Sequence, residues 1–126
     1  MTEGTPVRPR RILVVDDDPM VCETIEMMLG VDGHHVSTAT TGKKALATFE
    51  KQEFDLVITD FALQEMSGHH LASVVKSRAP DLPVIMITAY ADMLAGERLI
   101  PSVNLLLRKP CTLSKLREAL GKVLPE

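Results

Sequence analysis

The sequence predicts an α/β fold, a parallel sheet with helices on both faces, assembled from five β-then-α units. Two observations carry this expectation. Short apolar runs recur along the chain, each followed by a longer segment of helical period. The strongest runs are continuous rather than alternating, the mark of strands covered on both faces. The connections between units are too short for any other layering.

Residues 1–10, with Thr, Gly and two prolines, read as a flexible leader, and 11–126 as one domain. Arg8, Arg10 and Arg11 make a small basic knot, read as a solvated tail entering the first strand at 12–15. A helix follows over 19–29, with Val21, Ile25, Met28 and Leu29 on one stripe and Gly30 placed to stop it. Residues 35–39 alternate more weakly, as an outer strand does. A second helix over 42–52 presents Ala45, Leu46 and Phe49 on one face. The strand signal returns at 56–59 and runs straight into Asp60; a helix over 67–79 turns Leu71, Ala72, Val74 and Val75 inward. The most apolar strand is 83–88. A short helix is expected over 92–99, ended by Pro101. A fifth strand at 105–107 and a helix over 113–124, with Leu116, Leu120, Val123 and Leu124 on its core side, complete the pattern.

Composition narrows the function. A chain of 126 residues is one domain, able to bury roughly two-thirds of its unfolded surface. A net charge of −3 with mixed signs gives no broad basic face, and the few aromatics (Phe49, Phe54, Phe61, Tyr90) disfavour base stacking, so direct DNA binding by this chain is not expected. No apolar run approaches the roughly 20 residues of a membrane helix, and no signal-peptide segment follows Met1; a cytoplasmic protein without membrane contact is expected. Cys22 and Cys111 are too few and isolated for a disulfide framework or a zinc site, and read as reduced packing residues. His34–His35 and His69–His70 lack an i, i+4 ligand spacing and read as solvated turn or helix-start residues. Met27, Met28, Met66 and Met86 read as core or near-core filler.

In open α/β sheets ligands sit beyond the C-terminal ends of the strands. The first strand ends in Asp16, Asp17 and Asp18, the third in Thr59 and Asp60, the fourth in Thr88, and the fifth in Lys109 and Pro110; the second offers only Thr40 and Thr41. Carboxylates gathered this closely need a counter-charge. Mg²⁺ supplies one, since it favours a few protein oxygens together with water and phosphate oxygens. A lysine alongside matches a further anion, and a threonine hydroxyl can donate to one of its oxygens. The set reads as a metal-assisted phosphoryl site in which a carboxylate can be the nucleophile. Asp18 stands apart: before Pro19 it reads as a helix N-cap.

The pieces I-L-V-V-D-D-D-P, D-L-V-I-T-D, M-S-G, P-V-I-M-I-T-A and R-K-P, in this order, resemble the receiver domain of two-component response regulators, of the chemotaxis-regulator kind, over residues 11–124. The resemblance implies a flavodoxin-like, doubly wound, five-stranded sheet of order 2-1-3-4-5 with five helices on both faces. It implies that Asp60 accepts a phosphoryl group from the phosphohistidine of a histidine kinase or histidine phosphotransfer domain. Asp17 would ligate Mg²⁺ (or Mn²⁺) directly and Asp16 directly or through water, joined by Asp60 and the backbone carbonyl of Ala62. Thr88 and Lys109 would hold the phosphoryl oxygens, and the bond before Pro110 would be cis. The chain would then catalyse only its own phosphorylation and dephosphorylation, and signal to a downstream protein. The rival expectation is a degenerate receiver acting as a non-phosphorylated interaction module. A flavodoxin-like cofactor binder is disfavoured because no Gly-rich phosphate loop follows the first strand.

Several positions depart from the family pattern: Gln64 where a proline is usual, Leu106 in place of a switch aromatic, Cys111 for a frequent Phe, and Pro101 in a segment, 90–104, that lacks the usual Gly-Ala turn. Tyr90 is expected to cover the site partly and Ala62 to leave room beside it. With no output segment after the last helix, a stand-alone regulator and a receiver cut from a larger protein both fit.

Overall fold

A computed structural model describes residues 7–89 and 102–125. Five parallel strands, β1 (Arg11–Val15), β2 (His35–Ala39), β3 (Leu56–Asp60), β4 (Val84–Thr88) and β5 (Leu105–Arg108), lie in the order β2-β1-β3-β4-β5. Four helices are present among the described residues: α1 (Pro19–Val31), α2 (Gly42–Lys51), α3 (Gly68–Arg78) and α4 (Leu113–Val123). The further helix expected over 92–99 lies outside the described residues. No helix among those described is long and apolar enough to cross a membrane.

Strand alternation decides which helix covers which face. Ile12, Val14, Leu56, Ile58, Ile85 and Ile87 point to one side, where Cys22, Ile25 and Leu29 of α1 and Leu116, Ala119 and Leu120 of α4 meet them. Leu13, Val15, Val57 and Val84 point to the other, against Ala45 of α2 and Leu71, Ala72 and Val75 of α3. The residues of β3 and β4 are all buried, which is why their sequences run apolar without alternation. Each fully buried aliphatic side chain of this kind stabilises the fold by roughly 1.5–3 kcal/mol.

Helix starts follow the sequence closely. Asp18, Thr41, Ser67 and Thr112 are the N-caps, accepting from the backbone N–H groups of Met20, Lys44, His70 and Lys115 respectively. Each such cap contributes about 1 kcal/mol. Asp18 is therefore the cap expected before Pro19.

Four local expectations are overturned. Gly30 does not stop α1; the helix runs on to Val31, and the left-handed turn falls to Gly33 at φ 83°. Met27 is not core filler but 66% exposed, on the outer face of α1 with Met20 and Val31. Arg10 is not part of a solvated knot: it is buried, and its guanidinium donates to the carbonyl of Pro125. His34 is buried too, because its Nδ1 accepts the Arg10 backbone N–H at 2.9 Å and ties the entry of β1 to that of β2. Cys22 and Cys111 are free thiols, the first buried and the second half-buried.

Candidate functional site

The strand order reverses around β1, so the crevice beyond the ends of β1 and β3 is the topological switch point. The residues that follow these strands converge there. Asp16 continues β1 by one residue, its N–H donating to the Ala39 carbonyl at 3.2 Å. Asp60 closes β3, pairing in register with Ile87 of β4. Thr88 closes β4 and is fully buried; its carbonyl accepts the Lys109 N–H at 3.0 Å, which sets Lys109 just past the end of β5. The Lys109–Pro110 peptide is cis, as the resemblance implies.

Carboxylate oxygens of Asp16, Asp17 and Asp60 lie within 4.8 Å of one another. Asp16 and Asp60 are buried and Asp17 faces solvent. The Lys109 Nζ reaches Asp16 Oδ2 at 2.8 Å and Asp60 Oδ2 at 3.2 Å, bridging the two buried acids. Asp16 Oδ1 accepts the Asp18 N–H at 2.9 Å, so both its oxygens are engaged. The backbone N–H of Ala62 adds a small lowering influence on the Asp60 carboxyl.

Burial pushes the Asp60 carboxyl above its ordinary pKa; the Lys109 charge opposes this and the Asp16 charge reinforces it. Burial alone would lower Lys109, but the hydrogen bond to Asp16 and the charges of Asp16 and Asp60 outweigh it, and the net shift is upward. The ammonium is therefore held firmly in its charged form. One cation offsets part of a three-carboxylate cluster, and the remaining negative charge attracts a further cation.

Of the residues singled out for this edge, Asp16, Asp17 and Asp60 gather there with Lys109 across the two buried acids, while Thr88 closes the neighbouring strand and Ala62 pairs with Ser67 in the loop after Asp60. Tyr90 lies outside the described residues. Leu106 is half-buried opposite Met86 of β4. Cys111 packs against the α1/α4 side of the core, and burial pushes its thiol up to about 11, the nearby Lys115 opposing. One contact was not anticipated from sequence. The Cys22 Sγ donates to the Asp16 carbonyl at 3.3 Å, pinning the end of β1 to α1.

A buried acidic pair with a lysine across it, at the switch point of a 2-1-3-4-5 sheet, is the pocket of a receiver. The chain belongs to the response regulator receiver domain family, whose model matches residues 12–121. It is 37% identical over 92 residues to the probable transcriptional regulatory protein TcrX of Mycobacterium tuberculosis, a match covering 71% of this chain and 39% of that protein. It is 36% identical over 114 residues to the transcriptional regulatory protein ZraR of Escherichia coli, covering 90% of this chain and 26% of that one. The chain thus spans less than two-fifths of the length of these curated relatives. Among solved structures, it is similar to the response regulator TrrA of Thermotoga maritima in complex with Mg²⁺ and BeF, with a TM-score of 0.83, 31% identity and coverage of 91% and 99% of the two chains. It is also similar to the chemotaxis response regulator CheY4 of Vibrio cholerae, with a TM-score of 0.81, 26% identity and coverage of 94% and 100%. Phosphorylation and Mg²⁺ are typical of the family, which serves two-component signalling.

Proposed function

We propose that this chain is a phosphoacceptor in a two-component relay, with Asp60 receiving the phosphoryl group from the phosphohistidine of a histidine kinase or histidine phosphotransfer domain. The observation that carries this reading is the lysine bridge, with Lys109 Nζ 2.8 Å from Asp16 and 3.2 Å from Asp60. It joins a counter-charge to a nucleophile while leaving Asp17 open to solvent. The oxygen-only donor set suits Mg²⁺, which would be held by Asp16, Asp17, Asp60 and the Ala62 carbonyl. When bound, that cation supplies charge neutralisation at the phosphoryl oxygens.

The chain's own groups do the rest. An Asp60 carboxylate oxygen forms the new P–O bond as the P–N bond to the donor imidazole breaks, and the electron pair stays on the imidazole nitrogen, which takes up a proton. The transition state is loose, so alignment and charge stabilisation dominate. The raised pKa of Asp60 goes with a more basic, more nucleophilic carboxylate. Lys109 then faces the phosphoryl oxygens with a permanent charge, and the Thr88 hydroxyl donates to one of them. That shift of Lys109 from carboxylate to phosphoryl, with the Thr88 hydroxyl drawn to the same group, changes the surface offered to a downstream protein. The resemblance to TrrA with Mg²⁺ and BeF supports this reading. A non-phosphorylated interaction module draws no support, since nothing in such a module calls for a buried lysine-bridged acidic pair.

Acetyl phosphate with Mg²⁺, followed by mass spectrometry, tests the proposal. The wild type should gain one phosphoryl group on Asp60, and Asp60→Asn should gain none there. An unmodified wild type would overturn it.

A further inference from the structure

We infer that Gly68 is a positioning residue for Asp60 and the Ala62 carbonyl, a role that rests on the phosphoacceptor reading. Gly68 is the first residue of α3 and is buried. Gly33 is the one glycine with positive φ among the described residues, so the Gly68 backbone is one that any residue adopts. Alanine is the better helix former at such a position. What excludes a side chain there is the phosphoacceptor itself. A β-carbon on Gly68 would lie 2.0 Å from the Asp60 carbonyl oxygen, 2.9 Å from its carbonyl carbon and 3.0 Å from Phe61 Cα. These are backbone atoms, with no rotamer to escape into.

The surrounding contacts hold this approach in place. The Gly68 N–H donates to the Phe61 carbonyl at 2.7 Å, and Ala62 pairs with Ser67 in an isolated antiparallel bridge. Leu63 and Met66 anchor the loop between them on the α2/α3 side of the core. The loop after Asp60 therefore folds back until the first turn of α3 sits on the Asp60 backbone. Because Ala62 follows Asp60 by two residues and pairs with Ser67, next to Gly68, displacing the Asp60 carbonyl displaces nucleophile and Ala62 together. Gly121, inside α4, meets nothing within 4 Å of a β-carbon and makes a matched control.

The test compares Gly68→Ala with Gly121→Ala in the full chain. It uses Mg²⁺ titration calorimetry, acetyl phosphate kinetics and thermal unfolding without metal. Gly68→Ala should remain folded at the assay temperature yet weaken Mg²⁺ binding and slow phosphorylation at least tenfold each, while Gly121→Ala alters neither. A Gly68→Ala protein with wild-type Mg²⁺ affinity and rate overturns the positioning role alone. A wild type that takes no phosphoryl group overturns the phosphoacceptor reading and this one with it. Should Gly68→Ala not fold, hydrogen exchange in the wild type decides. If seating of Gly68 and Mg²⁺ binding are one event, Mg²⁺ at a hundred times its Kd slows exchange of the Gly68 N–H about a hundredfold. Exchange indifferent to Mg²⁺ overturns the inference.

Discussion

Where the strands finish, carboxylate oxygens of Asp16, Asp17 and Asp60 lie within 4.8 Å of one another, and a single ammonium pairs with two of the three acids, Asp16 and Asp60. Where the strands begin, charges and polar groups are matched almost one to one. Arg117 grips Asp32 through two hydrogen bonds of 2.8 and 2.7 Å, joining α4 to the end of α1. Asp55 accepts the Arg11 N–H at 2.9 Å, and His34 accepts that of Arg10 at the same distance. The buried Arg10 Nε is the exception among the described residues, with no partner. A surplus of one sign is costly to fold around and is kept where a ligand will relieve it; matched pairs only hold elements together. The two ends of one sheet thus separate chemistry from structure.

The largest effect should come from removing the bridge. Lys109→Met leaves Asp16 and Asp60 buried without their ammonium, a loss of the kind that costs about 3–5 kcal/mol. Metal-free protein should therefore unfold at a much lower temperature. Mg²⁺ should restore more stability than it adds to the wild type, because no ammonium competes for the same oxygens. Phosphorylation should fall by about 10²–10³-fold, as when one transition-state donor is removed. Weaker Mg²⁺ binding in this variant would break the comparison, since it would make Lys109 a support for the metal rather than its competitor.

The opposite end should behave as structure alone. The hydrogen bonds from Arg117 hold the Asp32 carboxyl below its ordinary pKa, against the effect of burial. A depressed carboxyl stabilises at neutral pH, and the contribution is lost as pH falls through the folded-state pKa. Asp32→Asn should lower the melting temperature by a few degrees at neutral pH, less so in high salt, with Mg²⁺ affinity and phosphorylation rate unchanged. A changed rate would show that the two ends are coupled.

The site was more legible than its scaffold. Asp16 and Thr88 directly follow continuous apolar runs, and Asp60 and Lys109 follow theirs after one polar residue, so placing the runs in a parallel sheet was enough to bring them to one edge. The caps at Asp18, Thr41, Ser67 and Thr112 are equally local, each a short polar side chain just ahead of a helical period. What escaped were residues whose fate is set by a distant neighbour. Arg10 and His34 look like polar residues at an entrance until β1 and β2 pair, when one becomes the other's hydrogen-bond partner. Met27 was read from its residue type, although the stripe of Val21, Ile25, Met28 and Leu29 had already assigned the inner face of α1 and left position 27 outside. Gly68 carried a faint signal, a glycine at a helical position where alanine does better, but only the Asp60 carbonyl against it says why.

The smallest effect expected lies at His34. The residue is only 7% exposed, and Nδ1 can accept the Arg10 N–H only while unprotonated. Burial pushes the imidazole below its ordinary pKa; Asp32 opposes the shift and Arg10 adds to it. Near pH 6.5, the usual value for histidine, the unfolded chain therefore holds more protons than the folded one. The contribution of His34 is present above that pH and is lost as pH falls through the folded-state pKa. One proton limits the slope to about 1.4 kcal/mol per pH unit. His34→Asn offers an amide oxygen to the same N–H and cannot titrate. Between about pH 7 and pH 5 the wild type should lose stability faster than the variant, so their melting temperatures should converge or cross on acidification. Parallel curves would mean that the imidazole titrates alike in folded and unfolded chains. A phosphorylation rate altered at pH 7 would show that this end of the sheet reaches the other.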